Sequence, residues 1–190
     1  MVEKWNDYEL PTSMIVNGNE YSFKADFRNI LEVMKPLNDP DLLEEEKIDC
    51  ACYLFFENYE SIEPFDMQDC ISQMMVFISG NEPNEQQKND KPLMDWEKDL
   101  SIIIAPINKV ATHDIRNDNF MHWWTFLAYF MEIGECTFNT FVGIRNKKNK
   151  GKKLEKFEQD IYKNNMKAIN LEKKYDRTTQ DMIDEILGKR

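Results

Sequence analysis

The 190-residue sequence has little of what most site chemistry is built from: four cysteines, two histidines and six glycines. No Cys-x-x-Cys pair occurs, and so few cysteines cannot staple a secreted scaffold, which points to a reducing compartment. Cys50 and Cys52 would lie roughly 200° apart around a helix, too far to chelate one ion, and the four cysteines read as small apolar core residues. Neither His113 nor His122 stands in Glu-x-x-His or His-Glu-x-x-His spacing. The closest glycines, Gly143 and Gly151, are too far apart for a dinucleotide fingerprint, a Walker-type loop or a nucleophile elbow. No apolar run exceeds about seven residues, so no segment can cross a bilayer. The opening MVEKWNDYELPTS has no apolar signal core. The expectation is a cytoplasmic protein without cofactor, metal site, membrane contact or catalytic activity.

What is present is globular in composition: 42% hydrophobic, 12% aromatic and 31% charged residues, on a length that suits one domain. The net charge of −11 conceals an asymmetry. Residues 1–142 carry 10 Lys and Arg against 27 Asp and Glu, a balance of −17; residues 143–190 carry 14 against 8, a balance of +6. An acidic body is followed by a basic tail packed on or extending from the same domain, a pattern that favours partners or subunits meeting through complementary charge.

Local patterns predict a mainly α-helical protein with a short N-terminal β-hairpin at about 13–24. Met14, Val16, Tyr21 and Phe23 alternate around Asn17-Gly18, which supplies the positive φ of a type I′ turn. Asp26 caps a helix ended by Pro36, and Asp39-Pro40-Asp41 opens a second that runs to about Tyr59. Pro64 and Asp66 start a third, stopped by Gly80, and residues 81–92 read as a flexible polar loop. A fourth begins near Asp95, with Pro106 expected to kink or shorten it. The fifth, at about 119–133, is the most aromatic, and a sixth runs from Thr137 into RNKKNKGKK at 145–153. The rest is amphipathic helix, its last segment capped at Thr178 or Thr179.

Candidate site residues fall in two places. On the aromatic helix, Trp123, Trp124 and Phe126 read mainly as a core stripe, yet adjacent tryptophans point about 100° apart, which favours one of them at an interface. In the basic run, Arg145, Lys147, Lys148, Lys150, Lys152 and Lys153 suit a solvated helix face, contact with an acidic protein surface, or nucleic acid. The acidic body would repel a polyanion, and the run has no interleaved aromatics for base stacking. His122 reads as a hydrogen-bonded structural residue. Asp95 and Asp99 share a helix face, as a metal-dependent hydrolase would require, but too few oxygen ligands lie nearby. They read instead as a cap and a first-turn acid.

Several segments together resemble a known family: Leu10-Pro11 and Val16-Asn17-Gly18, then Asp26-Phe27-Arg28, MDWEKD at 94–99, HWWTFLAYF at 122–130, and Ile144-Arg145 before lysine-rich sequence. They resemble small proteins encoded in the tail-assembly gene region of siphophages and prophages of Gram-positive bacteria. The resemblance implies a tail assembly chaperone that binds tape-measure protein, major tail protein or both in the host cytoplasm. Self-association is a further expectation. The alternatives from other classes are a minor structural component retained in the tail and a nucleic-acid-associated protein using 145–156.

Overall fold

The computed structural model describes residues 5, 6, 8–81 and 91–171. Most of the polar loop expected at 81–92, and the helix expected after Thr178, lie outside them. Among the described residues the chain is mainly helical, with eight α-helices and a two-stranded antiparallel hairpin, as the sequence predicts.

In the hairpin, β1 (Ser13–Val16) pairs with β2 (Asn19–Ser22), Met14 opposite Tyr21 and Val16 opposite Asn19. Asn17 and Gly18 make the turn with φ of 50° and 88°, the left-handed pair a two-residue type I′ loop requires. Met14, Val16 and Tyr21 face the core while Ile15 faces out.

Asp26 caps α1 (Phe27–Leu37) by accepting the Arg28 N–H at 2.9 Å, and Pro36 sits inside the last turn, which closes one residue later than expected. The second helix departs from the prediction at both ends. Asp39 accepts the Asp41 N–H at 2.9 Å in a turn, and α2 (Glu44–Phe55) starts only after Leu43, whose N–H is taken by the Glu46 carboxylate at 2.8 Å. It stops before Tyr59 because the chain leaves the helix to extend the hairpin. The Lys24 N–H donates to the Phe55 carbonyl at 2.9 Å and the Glu57 N–H to the Ser22 carbonyl at 3.1 Å. That exchange of helical for sheet hydrogen bonds buries Phe55 and Phe56 together.

α3 (Met67–Ile78) matches its predicted span. α4 (Trp96–Ala111) is capped by Asp95, which accepts the Lys98 N–H at 3.1 Å, and Pro106 does not shorten it. Fully buried Ile103 and Ile107 hold the turns on either side of the proline. α5 (Trp123–Met131) is shorter than the predicted 119–133, because Met121 and His122 are extended against Ala25–Phe27: the Phe27 N–H donates to the Met121 carbonyl at 2.9 Å, and the Trp123 N–H to the Ala25 carbonyl at 2.8 Å. Then follow α6 (Thr137–Asn149), α7 (Lys156–Asn164) and α8 (Met166–Ile169). The charge changes sign inside α6, so one helix runs through the position where acidic body gives way to basic tail. A main core spans the hairpin and α1–α5, a smaller one joins Phe141, Ile144 and Ile169, and Ile102 of α4 packs against both.

Candidate functional site

The candidate residues on α5 lie in the main core. Trp123 is 1% exposed, Phe126 is fully buried, and Trp124 is half-buried. Both indoles serve one purpose: Trp123 Nε1 donates to the Ile78 carbonyl and Trp124 Nε1 to the Phe77 carbonyl, each at 2.9 Å. These carbonyls close α3, where the helical ladder runs out, and the Phe77 carbonyl also accepts the Gly80 N–H at 3.1 Å, so the diverging tryptophans straddle one helix end. Trp124 also stacks on Phe77 at 5.3 Å, and Phe126 stacks on Phe27 at 4.5 Å. The divergence that favoured an interface role is thereby used inside the fold. Just beyond α3, Gly80 has φ 77° and a Cβ there would lie 3.1 Å from Leu127 Cδ1, so this bend under α5 requires glycine.

His122 joins three segments. Its Nδ1 accepts the Trp124 N–H at 3.1 Å, capping α5, which leaves Nε2 to donate to the Pro11 carbonyl at 2.9 Å. Burial holds its pKa below the ordinary value, against the opposing pull of that carbonyl. Asp26 reaches the same junction, its second oxygen accepting the Met121 N–H at 2.9 Å.

The basic run separates into three kinds of residue. Arg145 departs from the expected exposed face: it is 4% exposed and forms a two-pronged ion pair at 2.7 and 2.8 Å with Asp99, itself 1% exposed. Its remaining N–H groups donate to the carbonyls of Leu93, Ala168 and Ile169. Asp99, read from the sequence as a first-turn acid, also accepts the Asp95 N–H at 3.0 Å. Lys147 bonds Glu158 at 2.7 Å; Lys148 bonds the Asn170 side chain at 2.8 Å and sits 3.7 Å from the centre of the Tyr162 ring. Lys150, Lys152 and Lys153 are exposed. The candidate residues thus form no single site. They divide between the core, a buried staple, two lysines of α6 tied to Glu158, Asn170 and Tyr162, and one exposed loop.

The early end of α2 produces a groove that sequence reasoning missed. It is an open hollow of about 560 Å³ beside Tyr53 and residues 56–61. Its signal was the Phe55-Phe56 pair, which no single helix face could bury. Among the described residues no group of three His, Cys, Asp or Glu side chains is placed to hold a metal ion. Burial pushes the Cys52 and Cys70 thiols up to about 12 and about 11, whereas Cys50 is exposed and departs from the core reading. Among the described residues no helix is long and apolar enough to cross a membrane.

Compared with known proteins, residues 6–171 match the model of a family described as bacteriophage Gp15 protein. No curated protein and no solved structure matches the chain.

Proposed function

The chain belongs to the bacteriophage Gp15 protein family, and we propose that within it this protein is a tail assembly chaperone. On this reading it binds tape-measure protein, major tail protein or both in the host cytoplasm and leaves before the virion is complete. The observation that carries the reading is the family match over residues 6–171, a span that contains every segment of the tail-region resemblance from Leu10-Pro11 to Ile144-Arg145.

The packing of those segments also supports it. Pro11 meets His122, Asp26 meets Met121, Phe27 stacks on Phe126, and Asp99 pairs with Arg145. The resemblance therefore rests on residues that fasten the fold, and a client must be met elsewhere. Exposed Phe65, Met131 and Phe157 offer apolar side chains to an amphipathic helical client.

The test is co-expression with the tape-measure and major tail proteins of the same phage, followed by size-exclusion chromatography at low and moderate salt. Co-elution with either is the expected result, and elution apart from both overturns the reading. Mass spectrometry of purified virions then decides between a departing chaperone, which is absent, and a minor structural component, which is present.

A further inference from the structure

The groove at the end of α2 and the loop between α6 and α7 are chemically complementary, and both are open in the same chain. The groove floor is buried Phe56, and its wall is Tyr53, 65% exposed, which meets Tyr59 edge to face with ring centres 6.5 Å apart. Glu57 and Glu60 stand exposed on the rim. A smaller adjoining hollow shares Phe56 and Asn58 and adds Glu20. Among the described residues the one cation lining either hollow is Lys24, whose ammonium is turned to the Leu54 carbonyl at 3.3 Å. Aromatic faces under carboxylates form a receptor for primary ammonium groups.

The loop has the matching form. α6 ends in a turn in which the Gly151 N–H returns to the Lys148 carbonyl at 3.0 Å and the Lys152 N–H to the Lys147 carbonyl at 2.8 Å. Gly151, with φ 65°, has open space where a Cβ would stand, so the loop backbone can approach another surface closely. Lys147 and Lys148 are held by Glu158, Asn170 and Tyr162, whereas Lys150, Lys152 and Lys153 project from the turn into solvent. The ammonium of Lys148 over the Tyr162 ring is the contact such a lysine would repeat on Tyr53 or Tyr59.

We propose that the groove receives the Lys150–Lys153 loop of a second copy of this chain. None of these lysines lines the groove of its own chain. Groove and loop are different patches, so the contact is heterologous and extends head to tail unless its rotation closes a ring. The proposal rests on charge and shape within this chain and not on the tail-assembly reading; the purified full-length protein alone tests it.

Sedimentation of the wild type at about 50 mM and about 500 mM salt should show larger species only at the lower salt, where exposed charges are least screened. Lys150→Glu with Lys152→Glu and Lys153→Glu, and separately Glu57→Lys with Glu60→Lys, should each weaken association by tenfold or more while leaving the far-ultraviolet circular dichroism and the melting temperature in place. Mixing the two variants should restore association, because each reversed loop then meets a reversed groove. A wild type that stays monomeric at low salt, association indifferent to both reversals, or a mixture that fails to recover overturns the proposal. Co-elution with tail proteins can stand when this contact fails, and the reverse also holds.

Discussion

Arg145 shows how one side chain can define a fold. Its guanidinium has five N–H donors, and all five are used, on Asp99, Leu93, Ala168 and Ile169. Removing it leaves the Asp99 carboxylate buried without its cation, and breaking one half of such a pair typically costs about 3–5 kcal/mol. Arg145→Ala is therefore expected to lower the urea-unfolding midpoint by that equivalent, and Lys147→Ala, whose pair with Glu158 is open to solvent on the lysine side, by far less. A pH effect belongs to His122. Burial lowers its pKa in the folded state, so its contribution is full above the ordinary value of about 6.5 and is lost as the pH falls toward the folded value. His113 has the opposite sign. Hydrogen bonding to Asp118 and the Ala111 carbonyl raises its pKa, and its contribution is lost as the pH rises. Asn in place of His122 keeps a capping oxygen and cannot titrate. The difference in unfolding free energy between wild type and His122→Asn should shrink as the pH drops from about 7.5 to about 5, because only the wild type loses stability there through residue 122.

Among the elements, those whose ends are set by local chemistry were legible. The hairpin followed from Asn17-Gly18, α3 from Pro64 and Gly80, and the starts of α1 and α4 from Asp26 and Asp95. Elements whose ends are set by distant partners were not. α2 stops early because Lys24 and Ser22 claim Phe55 and Glu57, and α5 starts late because Ala25 and Phe27 claim Trp123 and Met121. The groove was invisible for the same reason. The Asp99–Arg145 pair spans 46 residues, with no periodicity to announce it. α4 is the converse case: Pro106 has no N–H to close its turn, yet the helix continues to Ala111 on the packing of Ile103 and Ile107. Tertiary packing overrides the local break there, which implies a standing cost. Pro106→Ala should stabilise the protein by about 1–3 kcal/mol, less than the full proline penalty because proline also restricts the unfolded chain. Thermal unfolding checks this: a rise of several degrees is the expected result, and a fall would mean that the pyrrolidine ring supplies packing the alanine lacks.

At the scale of the whole molecule, the basic run is weaker than its count suggests. Seven Lys and Arg fall between Arg145 and Lys156, but Arg145 is buried against Asp99, Lys147 is bound to Glu158 and Lys148 to Asn170 and Tyr162. Lys150, Lys152, Lys153 and Lys156 remain on the surface outside those contacts, on a chain whose net charge is −11. Binding to a phosphate backbone draws on released counterions, about 0.9 per neutralised phosphate. Four lysines therefore limit the slope of log affinity against log salt to about −3.6, before repulsion by the acidic body is counted. The protein should give no anisotropy change with a labelled DNA duplex at about 150 mM salt, and any binding at lower salt should vanish with Lys150→Glu, Lys152→Glu and Lys153→Glu together. A steeper slope, or binding that survives those substitutions, would place a nucleic-acid surface elsewhere on the chain. A protein carboxylate surface makes smaller demands, since a few lysines on a rigid turn suffice for a salt-sensitive contact. The four remaining lysines thus favour an acidic protein partner over a polyanion, because three of the seven cations are spent on tying α6 to α4, to α7 and to Asn170.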